Sequence, residues 1–291
     1  MLSLLNELKG PITNGLLLGG LYGIIGIGMS MIFGIVRLVN LAHGDLVILA
    51  SYLSLVTMTL FSVDPIFTLV IVIPAMCIIG FAVQYYLLNP VLGKGMNPPL
   101  LVAFGLSIIF QNLLLLIFTP DARTLFTSIS VKTISLWGFL NIPLVYLVDF
   151  AGSVITIALL HQLFRRTYLG KAIKAASDDE GAAQLMGINT KTIYAFAMAI
   201  ATGTAGVAGV AVGITFTFYP QTGPEYLIIA FGVVILGGLG SLFGTFLGGL
   251  ILGLAQLLGA HFLGPGFQLL SGYLILLIVL TFKPTGLFAK G

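Results

Sequence analysis

The chain has 291 residues, 58% of them hydrophobic and 7% charged, with 12 Lys plus Arg against 9 Asp plus Glu for a net charge of +3. A soluble domain carries charge at about a quarter of its positions, so a large soluble globular domain is excluded and the chain is read as a membrane protein. The cation excess is then an orientation signal and does not imply a nucleic-acid partner.

Met1–Gly10 carries Glu7 and Lys9 and runs straight into a long glycine-bearing span. That differs from a basic n-region followed by a short apolar core and a cleavage site, so no cleaved signal peptide is expected. Apolar stretches broken at charges, prolines and polar clusters predict spans near 12–36, 44–62, 65–88, 99–119, 142–164, 192–218, 226–238, 242–260 and 267–282. A crossing needs about 20 apolar residues. The seventh and eighth are short and separated only by Leu239, Gly240 and Ser241, so they read equally as two spans, one bent span or a re-entrant hairpin, and the total as nine or eight. Runs such as Ile66–Ile79 are continuously apolar, which excludes the alternating pattern of a transmembrane barrel. The expected fold is an all-α polytopic integral membrane bundle, one transmembrane domain over residues 1–291. Cys77 is the single cysteine, so neither a disulfide nor a cysteine metal site can form within the chain.

Nine spans with the N-terminus outside place Arg37, Lys94, Arg165, Arg166, Lys171, Lys174, Lys191, Lys283 and Lys290 in the cytoplasm and Lys9, Arg123 and Lys132 outside, in keeping with the positive-inside rule. The long external connection, Pro120–Asn141, holds alternating β-formers around Ile129–Leu136 and Trp137, which suits the membrane interface. The long internal one, about 165–191, holds the acidic run Asp178, Asp179, Glu180. Spans one to four and six to nine flank a central fifth and run in opposite directions, as an inverted repeat would.

Glycines spaced by four, at Gly15, Gly19 and Gly23, at Gly209 and Gly213, and at Gly240, Gly244 and Gly248, let helix backbones approach closely. Asn40-Leu41-Ala42-His43-Gly44-Asp45 puts polar groups between two apolar runs, where a charge costs about 3 kcal/mol or more. Two readings stand: Asn40 closes the first helix and Asp45 sits in the favourable first turn of the next, or His43 and Asp45 line a path or gate. The three histidines, His43, His161 and His261, lie on different spans without a protease or metal spacing, so neither catalytic residues nor a metal or other cofactor are expected. Neither Gly93-Lys94 nor Gly170-Lys171 is followed by Ser or Thr, which rules out a phosphate-binding loop of that type. In the internal loop, Ser177 and Glu180 have the capping-box spacing and Gly187 suits the residue past a helix end. The short helix so defined, with Leu185 and Met186 near its end, suits docking in another protein's groove or lying on the membrane surface.

Four segments together resemble the LivH-like permease subunits of ATP-driven branched-chain amino acid importers. They are Asn40–Asp45 after a glycine-rich span, Gly237-Gly238-Leu239-Gly240-Ser241 with Gly244, the loop from Gly170 through Leu185-Met186-Gly187, and Lys283-Pro284-Thr285-Gly286-Leu287-Phe288. Glu180, Ala182, Ala183 and Gly187 match the general permease loop motif loosely, and its later Leu-Pro is absent. The resemblance implies a helical subunit pairing with a homologous second permease, cytoplasmic ATP-binding subunits and an external substrate-binding protein, in a bacterial or archaeal plasma membrane. It implies leucine, isoleucine or valine as cargo, with urea or short amides carried by related permeases. It further implies that Ser177, Asp178, Asp179, Glu180, Leu185, Met186 and Gly187 touch the ATPase. A stand-alone secondary carrier is the rival class, and the capped loop helix is the feature that such a carrier does not need.

Overall fold

Inside a bilayer no water is present to satisfy peptide groups, so a continuously apolar chain must satisfy them internally, as helices. The computed structural model describes residues 2–95, 97–136, 140–283 and 286–288. Among these, the chain forms α1 (Leu2–Val36), α2 (His43–Phe61), α3 (Leu69–Ala82), α4 (Asn97–Phe118), α5 (Leu144–Arg166), α6 (Tyr168–Asp178), α7 (Glu180–Leu185), α8 (Thr190–Thr215), α9 (Gly223–Gly237), α10 (Leu242–Leu263) and α11 (Gln268–Phe282). A 3₁₀ turn, Pro65–Thr68, precedes α3, and a π-helical turn, Val83–Leu88, prolongs it. A hairpin of β1 (Thr133–Leu136) and β2 (Leu140–Pro143) pairs antiparallel, Thr133 opposite Pro143 and Leu136 opposite Leu140. Trp137 lies outside the described residues.

Eight of these segments are long and apolar enough to cross a membrane, and α9 is a shorter apolar helix. The doubtful pair is therefore two separate helices, α9 and α10, joined by a turn with Gly238 at φ 90° and Gly240 at φ 80°. Left-handed backbone of this kind strains any residue with a Cβ.

The connections sort to two ends of the bundle. At one, Asn14 Nδ2 donates to the Asn141 carbonyl, Thr127 Oγ1 donates to Asp64, and the backbones of Arg123 and Phe218 bond each other. At the other, Ser177 Oγ donates to the Gly34 carbonyl, Asn89 Nδ2 donates to the Lys191 carbonyl, and Leu287 N–H donates to the Leu236 carbonyl. The hairpin end carries Lys9, Arg123 and Lys132, and the loop end carries the other cations of the described residues, the grouping expected from charge. Lys290 lies outside those residues.

The repeat is visible in the packing. The most extensive contact is α1 on α10, and the next is its counterpart under exchange of the halves, α8 on α3. Glycine permits both. A Cβ at Gly19 would stand 2.6 Å from Leu250 Cα, and one at Gly249 would stand 2.6 Å from the Gly19 carbonyl oxygen. On the other pair, Gly80 packs on Thr202, and Gly203 faces Cys77. Tyr22 Oη donates to Gln256 Oε1 at 2.6 Å within the α1–α10 seam. Helices α1 and α8 form the buried centre, whereas α3, α4, α5 and α11 present mostly exposed apolar faces. The halves differ in one respect: α11 lies along α10, but α4 leans on α2 and the π-helical turn instead of lying along α3.

This packing predicts that Gly249→Ala, which drives a methyl into the backbone of α1, costs about 1–3 kcal/mol. Gly152→Ala, where nothing lies within 4 Å, changes stability by less than about 1 kcal/mol. Thermal unfolding of the two detergent-purified variants checks the contrast.

Candidate functional site

Helix α1 ends at Val36, and Arg37 takes a left-handed φ of 55°. Residues 37–42 then turn back along the bundle. Asn40 does not close the first helix as the sequence suggested. Its Oδ1 accepts from Ala42 N–H at 3.1 Å and its carbonyl accepts from His43 N–H, so it shapes the entry to α2, because the turn needs acceptors for amides that precede the first helical hydrogen bond. His43 Nε2–H donates to the Ile25 carbonyl at 2.8 Å. Ile25 is 11 residues before Val36, so α2 begins about 16 Å inside the loop end.

At that depth the starts of α2 and α9 meet. Gly44 packs against the Gly223 carbonyl and Leu227 N–H, and Gly223 packs against the Asp45 carboxyl, each approach too close to admit a Cβ. Two helix N-termini thus face one carboxyl group, a favourable setting for an anion. Asp45 is 2% exposed, and its Oδ1 has no hydrogen-bond partner. Its carboxyl faces Ser107 and Gln111 of α4. His43 and Asp45 are close in the chain but serve different neighbours, α1 for one and α4 with α9 for the other.

The loop end holds the second constellation. The expected short helix ending at Gly187 is α7, but it starts after Asp179 and not after Ser177, and a separate helix, α6, precedes it. Asp179 is extended and caps α7, its Oδ1 accepting from Ala182 N–H at 2.9 Å. Ser177 lies inside α6, and its hydroxyl donates at 2.8 Å to Gly34, one of the last-turn carbonyls of α1 that have no helical partner. The capping box proposed for Ser177 and Glu180 is thereby corrected: a tertiary acceptor takes the serine, and the aspartate takes the cap. Glu180 Oε1 accepts from Gln184 and Thr190, tying α7 to the start of α8. Asp178 ends α6. Gly187, at φ 82°, closes α7 with bonds from its own N–H to Gln184 and from Ile188 N–H to Ala183, a Schellman termination. Leu185 and Met186 are left 91% and 83% exposed at the tip.

Beside this loop, Gly240 packs on Gly34, a Cβ there standing 3.0 Å from the Gly34 Cα. Gly237 and Gly244 press on each other's carbonyls across the α9–α10 turn, and Gly286 packs on Gly238. Gly34 therefore joins α6 on one side and the α9–α10 turn on the other. Among the described residues no group of three or more His, Cys, Asp or Glu could hold a metal ion.

Three polar residues of the membrane interior escaped the sequence reading. Asp149 is buried in α5 and accepts from Thr215 Oγ1 at 2.6 Å. Gln111 donates to Ser107 Oγ beside Asp45. Glu225, in the first turn of α9, is exposed and accepts from Tyr219 Oη. A signal for Glu225 exists: His43-Gly44-Asp45 continuing to Ala50 is echoed 180 residues later by Gly223-Pro224-Glu225 continuing to Ala230.

A bundle of opposed halves with broken helices meeting inside it is an architecture of membrane transporters. Residues 11–280 match the family described as the permease component of branched-chain amino acid transport systems, and the chain belongs to that family. It is 30% identical to the high-affinity branched-chain amino acid transport system permease protein BraD of Pseudomonas aeruginosa, over 96% of this chain and 95% of that one. Identity to the corresponding LivH protein of Escherichia coli strain K12 is also 30%, over 95% of this chain and 94% of that one. The LivM permease of the same strain is 28% identical over 49% of this chain and 33% of its own length. PsaBC from Streptococcus pneumoniae, solved in complex with Fab, has a TM-score of 0.52 at 12% identity, covering 98% of this chain and 97% of that one, a likeness of fold alone.

The geometry of α7 predicts that Asp179→Ala costs about 1 kcal/mol by loss of a cap and that Gly187→Val costs about 1–2 kcal/mol in the left-handed region. Both changes are local. Amide hydrogen exchange over residues 180–190 should accelerate in each variant while the unfolding midpoint of the bundle is unchanged.

Proposed function

We propose that the chain is the transmembrane permease subunit of an ATP-driven importer for leucine, isoleucine and valine in a bacterial or archaeal plasma membrane. Its loop end is cytoplasmic, which places the cation-rich side inside. It works with a homologous second permease, cytoplasmic ATP-binding subunits that hydrolyse the nucleotide, and an external protein that captures the substrate. The family supplies the cargo class, and the lack of a phosphate-binding loop in the sequence agrees with hydrolysis elsewhere.

The observation that carries this reading is the tip of α7. Two adjacent large apolar side chains stand almost fully exposed at the end of a short helix that is capped at both ends, tied directly to α8 and joined to α1 only through α6. Rigid apolar anchors presented this way are what a partner's groove captures. An ATPase can bias the permease only through contacts that differ between its two states, and a rigid lever transmits such a difference. Asp179 and Glu180 hold the lever in shape, Asp178 ends the helix before it, and Leu185 and Met186 are its contact.

Leu185→Glu combined with Met186→Glu places two charges where apolar contact is expected, and should reduce copurified ATPase by about tenfold or more with normal abundance of the permease. Unchanged copurification and unchanged substrate-stimulated hydrolysis would move the coupling surface elsewhere. The cargo is tested separately: exchanging the external binding protein should change which amino acid is imported, because a ligand-capturing domain needs at least about 50 residues and, among the described residues, no segment at the hairpin end approaches that length.

A further inference from the structure

Residues 216–222 carry the chain from the end of α8 back into the bundle, to where Gly223 packs against α2. Exposure alternates along this non-helical segment. Phe218, Pro220 and Thr222 are buried, and Thr217, Tyr219 and Gln221 between them are exposed, so one side seals against the protein and the other is polar throughout. Glu225 follows on the same open side, in the first turn of α9, its carboxylate accepting from Tyr219 Oη at 3.4 Å. From Glu225 to Gly237, the loop end of α9, the helix rises about 18 Å, against a hydrocarbon core about 30 Å thick. The exposed carboxylate therefore sits near mid-membrane.

Lipid is the wrong neighbour for this side of the molecule. Irregular backbone at membrane depth occurs only where protein covers it or water lines it, and an ionised side chain facing hydrocarbon is costly. The other outward surfaces, on α3, α4, α5 and α11, are mostly apolar. Asp45, the counterpart of Glu225 in the first half, is shut in against Ser107 and Gln111 of α4, whereas Glu225 stays open among the described residues. Three residues beyond it, on the same face of α9, Ile228 is exposed too. An open carboxylate thus adjoins an open aliphatic surface.

We propose that Thr217, Tyr219, Gln221 and Glu225 form this subunit's wall of a water-filled amino-acid path that the second permease closes, and that Glu225 receives the α-ammonium group of the substrate there. A carboxylate offers about four acceptor sites, of which Tyr219 takes one, and an ammonium brings three donors. Ile228 meets the branched side chain. The wall starts at the hairpin end, where Thr217 Oγ1 accepts from Thr124 Oγ1, and descends to Glu225. The assignment rests on the importer reading for its cargo and its sidedness.

The test uses the complex purified through this subunit from native membranes and reconstituted with its external binding protein and ATP, in a Cys77→Ala background. Gln221→Cys lies on the polar strip, and Ile155→Cys lies on the exposed apolar face of α5. A thiol forms its reactive thiolate in water and not in lipid, so a charged methanethiosulfonate reagent supplied to both faces should react about tenfold faster at Gln221→Cys. Excess leucine should slow that reaction. Thr217→Cys provides the same reading if Gln221→Cys lowers abundance. Glu225→Gln should reduce the rate of leucine uptake about tenfold, with Glu225→Asp restoring part of it and with copurified second permease and ATPase unchanged. Equal reaction at positions 221 and 155, or normal uptake by Glu225→Gln, overturns the path and leaves the importer standing. Loss of the second permease from the Glu225→Gln complex also overturns it, since Glu225 would then be pairing with that subunit and not with the substrate. Absence of leucine, isoleucine and valine uptake by the complex with native Glu225 and Gln221 overturns the importer reading itself, and the ammonium assignment with it.

Discussion

Every break in a helix inside a bilayer leaves amides and carbonyls that no water will satisfy, and each unsatisfied group costs several kcal/mol. The chain twice returns into the bundle as non-helical backbone, at residues 37–42 and 216–222, and most of the surrounding architecture follows from closing those breaks. The first is closed by Asn40, which supplies two acceptors, and by His43, which anchors the new helix to the Ile25 carbonyl. The second is closed by the backbone bridge of Phe218 with Arg123 and by Thr222, whose hydroxyl accepts from Tyr219 N–H and donates to its carbonyl. The helix that ends at the first break also needs its last carbonyls covered, and Ser177 reaches from the loop to do so at Gly34.

Bringing two broken helices together demands backbone contact, which is why glycine concentrates where it does. Gly44 against Gly223, Gly19 against Gly249 and Gly237 against Gly244 are approaches that any side chain would block. The apolar effect contributes little to helix association within lipid, so close packing and the few buried hydrogen bonds, such as Tyr22 to Gln256 and Thr215 to Asp149, hold the bundle together. Both halves use the same scheme, with α1 on α10 and α8 on α3. The exception is α4, and its displacement is what leaves room for a cleft beside Arg37 and Leu100.

How far the sequence discloses this depends on whether the cause is local. The spans are legible because an apolar run has few alternatives in lipid, and the spacing of Gly15, Gly19 and Gly23 marks a close approach without saying to what. Gly187 is legible as a helix end because the left-handed turn is a property of three or four residues. Ser177 is not, because its partner is a carbonyl 143 residues away, and the competing cap, Asp179, is equally suitable by type. Asp149 is invisible for the same reason, its partner Thr215 lying 66 residues further on. Asp45 stands out as a charge between apolar runs, whereas its setting opposite Ser107 and Gln111 depends on where α4 lands. Trp137 and Lys290 lie outside the described residues.

The two constellations are physically continuous. The loop touches α1 at Gly34 through Ser177, and the same glycine carries Gly240 at the end of the α9–α10 turn. Helix α9 runs from that turn for 15 residues, about 22 Å, and its other end is Gly223, seated on Gly44 and the Asp45 carboxyl. A displacement of α6 and α7 therefore reaches Asp45 through the Ser177 hydroxyl on Gly34, the backbone contact of Gly34 with Gly240, the single helix α9, and Gly223 against Gly44 and the Asp45 carboxyl. Packed backbones of this kind switch between discrete arrangements and do not yield gradually. On the proposed reading, force applied at Leu185 and Met186 arrives at Gly44 and Asp45 through Gly34, Gly240 and α9. Spatial continuity is not itself coupling, but it fixes which contacts a two-state movement must exchange: Gly34 with Gly240 at one end of α9, and Gly44 with Gly223 at the other.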